Sequence, residues 1–200
     1  NRDRIVRVAN TKQLDEIPFP DRQVIKQERN LQRAEKLHGQ RIAGMFSTRG
    51  CPFTCVFCAS NIVWGRRHRW RSPENIADEF EQVVKDTRAT YITFADDEMG
   101  INKKQLIEMC EVFVRRGNRI PWGCNVVAST LGDDVLQAMW AAGCRDLWIG
   151  VETGSPKIMK QVQKPITVDI VKSAFRRARD IGFNRRAYFL LGMPEEGWED

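Results

Sequence analysis

Long apolar runs are missing from this sequence. No stretch of its 200 residues approaches the ~18 apolar positions that a membrane-spanning helix needs, and its first residues do not resemble a signal peptide. We therefore expect no membrane span and a cytoplasmic location. Internal repeats and low-complexity tracts are also missing, and the length predicts one or two globular domains.

An initiator methionine is missing too. The chain begins at Asn1 in a charged stretch and stops shortly after Trp198, inside a pattern, so we expect a piece of a longer protein. The segment 14–21 carries two prolines, which hold the residues before them extended. Residues 1–40 are therefore predicted to be a linker from an upstream domain, and residues 41–200 one domain that is incomplete at its C-terminus.

Histidine is scarce, with two residues in the chain. His38 and His68 have no partner at catalytic spacing, and we expect both to be structural or exposed. Cysteine occurs six times, and Cys110, Cys124 and Cys144 are scattered among apolar neighbours. In a cytoplasmic protein such residues are expected to be reduced members of the core rather than disulfides.

Positive charge exceeds negative charge by a modest amount. The formal net charge is +6, and the segment 66–71 alone contains four arginines. We interpret this segment as a solvated loop that Trp70 anchors to the body of the protein. The alternatives are a lid whose arginines meet a carboxylate or phosphate and a surface that binds nucleic acid. We do not expect nucleic acid to be the partner.

Strand and helix patterns alternate five times after residue 41. The predicted strands are 42–46, 91–94, a part of 121–128, 147–151 and 188–191, with amphipathic helices between them. This alternation predicts an α/β fold of parallel strands with right-handed crossovers. An open doubly wound sheet and a barrel both fit, but polar or glycine residues follow every strand, which is typical of the functional rim of a TIM-type barrel. We therefore predict a partial TIM-type (β/α) barrel, truncated after its fifth strand.

The segment 51–58 is the most distinctive part of the sequence. It places Cys51, Cys55 and Cys58 directly after the first predicted strand. A closed structural zinc site takes four ligands, whereas three cysteines suit a metal centre with one open position. One such centre is a 4Fe–4S cluster in which one iron has no protein ligand. The alternative is a zinc site completed by His68 or a distant cysteine.

The cysteine spacing, with Phe57 before the last cysteine, resembles the signature of the radical S-adenosylmethionine (radical SAM) superfamily. The wider sequence is most similar to the branch of that superfamily that contains a cobalamin-binding domain. The segments that carry this similarity are 14–21, 47–53, 71–76, 94–97, 150–155 and 191–194. The sequence departs from the family pattern in the third strand, where Val126–Ala128 is apolar, and after Pro194, where Glu-Glu-Gly replaces Gly-Glu-Thr.

The resemblance implies a set of site residues. Cys51, Cys55 and Cys58 would be the metal ligands and the catalytic residues of a radical SAM core. The residues expected to bind S-adenosylmethionine are Phe57 at the adenine, Ala95, Asp96 and Asp97 at the methionyl amine, Asn125 and Ser129 at the methionyl or ribose end, Glu152 at the amine or ribose, and Leu191 and Gly192 at the adenine edge. Cobalamin would be bound by a domain outside this chain.

The resemblance also implies a reaction. S-adenosylmethionine would be cleaved reductively to a 5′-deoxyadenosyl radical, for cobalamin-dependent methylation or rearrangement of an unactivated carbon in a small-molecule substrate. A reductant such as flavodoxin or ferredoxin would supply the electron. Two alternatives stay open. One is a cobalamin-independent radical SAM enzyme, similar to methylthiotransferases or coproporphyrinogen dehydrogenase, and the other is a non-enzymatic module that binds a metal or nucleic acid.

Overall fold

The computed structural model describes residues 13–25 and 27–200, so the first twelve residues of the predicted linker lie outside the described part. The helices are α1 (Gln27–His38), α2 (Ser60–Trp64), α3 (Pro73–Thr87), α4 (Lys103–Arg115), α5 (Asp133–Ala141), α6 (Pro156–Gln161) and α7 (Val168–Ile181). The strands are β1 (Ile42–Met45), β2 (Thr48–Arg49), β3 (Arg69–Trp70), β4 (Tyr91–Phe94), β5 (Trp122–Val126), β6 (Cys144–Glu152) and β7 (Asn184–Phe189). Within the described ranges no helix is long and apolar enough to cross a membrane.

Five strands form one parallel sheet in the order β1-β4-β5-β6-β7. The spatial order follows the chain order without a reversal, so the sheet has no switch point of the kind that a doubly wound fold uses. Successive strands that advance in one direction are the arrangement of a β/α barrel. The prediction of a partial barrel is therefore confirmed. β2 and β3 pair separately as a short antiparallel ribbon on either side of the cysteine segment.

The two faces of the sheet differ in character. Alternate strand residues such as Ile92, Phe94 and Trp122 are fully buried on the face that the helices cover, and the rings of Phe94 and Trp122 meet edge to face at 5.2 Å. The intervening positions include Gly44, which pairs with Thr93 in the parallel register. The other face of the sheet is therefore lined in part by small residues.

The three scattered cysteines lie where the sequence predicts. Cys110, Cys124 and Cys144 are buried free thiols and belong to the core beneath the helices. Their pKa values are raised, chiefly by burial, so these thiols stay protonated and unreactive. The core cysteines are therefore set apart from the cysteines of segment 51–58 by their surroundings.

The last predicted strand, 188–191, is wrong in its bounds, because β7 runs over Asn184–Phe189. β7 borders the described sheet and pairs with β6 on one side. Its residues are therefore mostly exposed, and Arg185 and Arg186 obscure the apolar pattern that marks a buried strand. Two of the helices that flank the sheet have hydroxyl caps, since the side chains of Ser72 and Thr167 accept backbone N–H bonds at the starts of α3 and α7.

The outer edge of β1 is closed by two arginines. Arg22 Nη1 donates to the carbonyl of Gly44 at 2.9 Å, and Arg71 Nη1 donates to the carbonyl of Phe46 at 2.8 Å. Both guanidinium groups also pair with the buried carboxylate of Glu79. Arg71 therefore fixes the strand edge and is no part of a lid, and segment 13–25 is bound to the barrel through Arg22.

Candidate metal and cofactor site

The cysteine segment forms a loop that follows β2 at the carboxyl-end rim of the sheet. Gly50 precedes it with φ +86°, and its backbone passes so close to the carbonyl of Arg67 that a β-carbon would clash with it. The Val56 N–H donates to the carbonyl of Val162 at 3.2 Å, and the Cys58 N–H to the carbonyl of Cys55 at 3.1 Å. The loop is therefore held at its base and in the middle, against the segment that follows α6.

The three thiols of this loop differ from the core thiols in being accessible. Cys51 and Cys55 are half-buried and Cys58 is exposed, and all three are free. Burial is the largest of the effects that raise the pKa of Cys51 to about 11, and Glu98 and the other two thiols act in the same direction. Negative charge on one of these sulfurs therefore disfavours charge on the others, as expected for neighbouring groups that need a cation to be deprotonated together.

The donor set fits a cluster better than a single ion. In the described part of the chain no three His, Cys, Asp or Glu side chains converge closely enough to hold one metal ion. The ring Nε2 of His68 lies 2.8 Å from the carbonyl oxygen of Glu98. This nitrogen already has a hydrogen-bond partner, which argues against its use as the fourth ligand of a zinc site. Three thiolates in one loop fit a 4Fe–4S cluster with one iron left for a small ligand.

Asp96 lies in the loop after β4, but its carboxylate faces the protein. It accepts hydrogen bonds from the backbone and hydroxyl groups of Ser47 and Thr48, at 2.5–3.2 Å. Burial raises the pKa of Asp96, while these hydrogen bonds act in the opposite direction. The Asp96 carbonyl accepts a bond from Asn125 Nδ2 at 3.2 Å. Asp96 thus joins the ends of β1, β4 and β5, with its carboxylate fully used.

Asp97 and Ala95 point away from the core at the same rim. Asp97 is exposed and accepts a hydrogen bond from Ser60 Oγ at 2.8 Å. Ala95 is exposed, and its N–H donates to the carbonyl of Met45 at 2.9 Å. Both residues are therefore accessible to a ligand beside the cysteine loop, and their predicted contact with the methionyl amine stays a prediction.

Glu98 is a buried carboxylate at the same rim that is not among the predicted site residues. Its carboxylate is buried and accepts hydrogen bonds from the Gly100 N–H at 2.8 Å and from Thr130 Oγ1 at 3.4 Å. Burial raises the pKa of Glu98 to about 8, against an opposing effect of Lys164. The acidic run 96–98 follows a strand and so indicates a site at this rim. The sequence could not show which of its carboxylates is buried beside the cysteines.

Glu152 and Lys164 form a buried ion pair at the carboxyl end of β6. Lys164 Nζ lies 2.5 Å from Glu152 Oε1, and the two side chains are 7% and 10% exposed, respectively. Glu152 has φ +68°, an uncommon conformation for a residue with a side chain, and one that is associated with functional sites. A β-carbon on Gly150 would lie 2.5 Å from Lys164 Nζ, so glycine makes room for the pair.

Lys164 has no sequence signal that separates it from a solvated lysine. It follows α6, two residues after the Val162 carbonyl that holds the cysteine loop. Its charge lowers the pKa of Cys55, against a larger rise caused by burial. The structure thus places a desolvated cation between the predicted cluster loop and the predicted cofactor carboxylate Glu152.

The other predicted cofactor-binding residues include Phe57, Ser129, Leu191 and Gly192. Leu191 and Phe57 are exposed, and the Gly192 N–H donates to the carboxylate of Glu196 at 2.5 Å. The Leu190 N–H donates to the carbonyl of Glu152 at 2.9 Å, which brings the chain after β7 to the pair. Ser129 is exposed, and its neighbour Thr130 is the one that contacts Glu98.

Fold and site together define a class of protein: a parallel β/α barrel segment with a loop of three free cysteines at the carboxyl-end rim. The particular family follows from comparison. The model of the Radical SAM superfamily matches residues 45–200, and the chain belongs to that superfamily. Members of this family use a 4Fe–4S cluster and S-adenosylmethionine.

Curated relatives support the same membership. An uncharacterized methyltransferase of Pyrococcus horikoshii is 30% identical over 187 residues, which are 94% of this chain and 40% of the relative. The anaerobic magnesium-protoporphyrin IX monomethyl ester cyclase of Rubrivivax gelatinosus is 33% identical over 159 residues, 78% of this chain and 28% of the relative. The chain thus spans two fifths or less of the length of these two relatives.

Solved structures confirm the fold. The radical SAM methyltransferase TsrM from Kitasatospora setae, with tryptophan and an S-adenosylmethionine analogue, has a TM-score of 0.73 at 20% identity, covering 79% of this chain and 32% of that one. The cobalamin-dependent S-adenosylmethionine radical enzyme OxsB has a TM-score of 0.76 at 22% identity, covering 96% of this chain and 28% of that one. The predicted resemblance to the radical SAM superfamily is confirmed, and these two neighbours confirm the fold.

Proposed function

We propose that this chain is the catalytic core of a cytoplasmic enzyme that cleaves S-adenosylmethionine reductively. The 5′-deoxyadenosyl radical would serve cobalamin-dependent methylation or rearrangement of an unactivated carbon in a small molecule. Residues 41–200 would form the core, and residues 1–40 would lead to it from a cobalamin-binding domain. The observation that carries the proposal is the loop with Cys51, Cys55 and Cys58 at the rim of the barrel, with Cys55 within electrostatic reach of the buried pair Glu152–Lys164.

The chemistry of the rim matches that of the cofactor. A bound 4Fe–4S cluster would supply the electron that breaks a carbon–sulfur bond of the sulfonium. The amino-acid end of S-adenosylmethionine is a zwitterion, and a neighbouring carboxylate and ammonium can bind its two charges. We assign Glu152 to the methionyl amine or ribose and Lys164 to the methionyl carboxylate. In the absence of ligand the two side chains neutralise each other, since an unpaired buried charge is costly.

A first prediction concerns this pair. Replacing Lys164 with methionine, together with Glu152→Gln so that no buried charge is left alone, is expected to weaken S-adenosylmethionine binding by about tenfold or more, because hydrogen bonds to charged groups contribute ~1.5–3 kcal/mol. Equilibrium dialysis with the anaerobically reconstituted full-length protein measures this affinity.

Two controls accompany the dialysis. Iron content is expected to stay at the wild-type value, because neither residue is a cluster ligand in the proposal, and Lys164→Arg is expected to retain most of the affinity. Unchanged binding in the double variant, with the fold intact, would remove both residues from the cofactor site.

The enzymatic proposal has a direct test. The full-length protein is reconstituted with iron and sulfide without oxygen and given S-adenosylmethionine and dithionite, and 5′-deoxyadenosine and methionine are measured by liquid chromatography. We expect both products in equal amounts. Zinc in place of iron, with no cleavage, would instead support the non-enzymatic metal-binding module. Cobalamin retained during purification would separate the cobalamin-dependent branch from cobalamin-independent enzymes.

A further inference from the structure

An apolar surface with a basic margin surrounds the outermost cysteine. We call it the α2 surface, and its members are Val56, Ile62, Val63, Arg66 and Arg67. Ile62 is 87% exposed, Val56 62% and Val63 61%. Cys58, the most exposed of the three loop cysteines, lies between Phe57 and the start of α2. Adjacent exposed apolar side chains of this kind mark interaction sites more often than single ones do.

The fold does not account for this surface. α2 is a five-residue helix that buries its first residue, Ser60, and turns Ile62 and Val63 outward. Within the described ranges neither Arg66 nor Arg67 forms a salt bridge, and both are exposed. Asp97, which acts electrostatically on the neighbouring His68, already accepts a hydrogen bond from Ser60 Oγ. The two guanidinium groups are therefore available to a partner's carboxylates.

We propose that the α2 surface is the docking site of a small acidic protein that carries one electron, of the flavodoxin or ferredoxin kind. This inference rests on the proposed function, because it assumes that the centre held by Cys51, Cys55 and Cys58 must be reduced from outside. In the docked complex the carrier is oxidised by one electron and the cysteine-bound centre gains that electron. No atom or proton crosses the interface.

Size and charge favour this occupant. Short-lived electron-transfer encounters use small interfaces, and a few apolar side chains with two cations suit an acidic partner whose approach is steered by charge. A second copy of this chain fits poorly, since a two-fold contact would bring the arginines of both copies together. RNA would favour a longer basic stripe, whereas three of the five members here are apolar. The position beside Cys58 shortens the path to the centre.

The test compares two sources of electrons. The full-length reconstituted protein is assayed for 5′-deoxyadenosine with dithionite, and separately with a reduced bacterial flavodoxin at varied concentration and salt. The variant is Arg66→Glu/Arg67→Glu. Its matched control is Lys172→Glu/Arg176→Glu, which makes the same charge change at two exposed positions of α7.

We expect kcat/KM for flavodoxin to be about tenfold or more lower in the Arg66/Arg67 variant, a factor in the lower range of electrostatic steering. The dependence of kcat/KM on salt concentration should largely disappear. Its dithionite-driven rate should stay within about twofold of wild type, since a small reductant needs no docking surface. The α7 control should match wild type with both donors. Equal flavodoxin kinetics in the Arg66/Arg67 variant and wild type would overturn the proposal.

The inference and the proposed function fail in different ways. Absence of 5′-deoxyadenosine with dithionite would refute the proposed cleavage. A titration of the same protein with flavodoxin would still measure binding to the α2 surface. Binding that Arg66→Glu/Arg67→Glu leaves unchanged refutes the site. Salt-dependent RNA binding that this variant abolishes, without any effect on flavodoxin, would assign the surface to nucleic acid instead.

Discussion

Replacing Cys55 with alanine is expected to reduce 5′-deoxyadenosine formation to background and to lower the iron content of the reconstituted protein. Cys55 is the central cysteine of the loop. Its carbonyl accepts the Cys58 N–H, and the N–H of the next residue, Val56, donates to the carbonyl of Val162. With two thiolates left, the loop cannot present the three ligands that hold a cluster while leaving one iron free. Loss of supporting groups around a metal typically costs 10–100-fold, and loss of a ligand should cost more.

The matched control is Cys110→Ala, which removes a thiol from the core rather than from the loop. Cys110 is buried in α4, so we expect wild-type iron content and activity with a small loss of stability, about 1 kcal/mol for the cavity. Iron analysis, the visible absorption spectrum and the cleavage assay are measured on both variants. A Cys55→Ala protein that still cleaves S-adenosylmethionine would sink the mechanism.

The partial barrel and the cluster loop could be predicted because both rest on local patterns. Residues of one type at short spacing, such as Cys51, Cys55 and Cys58, remain neighbours in any compact fold. β4, at Tyr91–Phe94, was predicted to the residue, since a strand with parallel partners on both sides is apolar nearly throughout. β7 was misplaced because it lacks a second partner in the described sheet, and α6 was missed because it is short.

The parts that escaped prediction depend on contacts between distant segments. The sequence shows Lys164 as one lysine among many, and its burial against Glu152 arises when the chain after α6 folds over the end of β6. Glu98 is similar, since Thr130, its hydroxyl partner, is 32 positions away. The α2 surface was hidden for the opposite reason. Val56, Ile62 and Val63 look like core residues in the sequence, and the structure leaves them exposed.

Asp96 offers the sharpest test of a role that sequence and structure describe differently. The resemblance places it at the methionyl amine, while in the structure its carboxylate binds Ser47 and Thr48. Asp96→Ala is expected to destabilise the protein by about 3 kcal/mol, because it leaves two buried backbone N–H groups without acceptors at ~1–3 kcal/mol each. It should also lower iron retention, since Thr48 leads directly into the cysteine loop. Chemical denaturation and iron analysis measure the two effects.

The amide variant separates the two roles of Asp96. In Asp96→Asn the amide oxygen can keep the backbone N–H bonds from Ser47 and Thr48, which both reach Oδ1, while the amide nitrogen can donate to Ser47 Oγ, which lies 2.9 Å from Oδ2. We therefore expect a loss of about 1 kcal/mol and nearly normal iron content. If the Asp96 carboxylate instead bound the methionyl amine through its charge, Asp96→Asn would weaken S-adenosylmethionine binding as much as Asp96→Ala does. The Asp96→Asn protein would nevertheless keep its stability.

Asp97→Ala completes the comparison, because Asp97 is exposed at the adjacent position. Its removal breaks a single bond to Ser60 and should change stability by no more than ~0.5 kcal/mol. If Asp97→Ala weakens S-adenosylmethionine binding while Asp96→Asn does not, the cofactor contact lies at Asp97, and Asp96 acts by holding the lead-in to the cysteine loop. Equal stability of the Asp96→Ala and Asp96→Asn proteins would contradict the structural role of Asp96, because the N–H groups of Ser47 and Thr48 keep an acceptor in Asp96→Asn and lose it in Asp96→Ala.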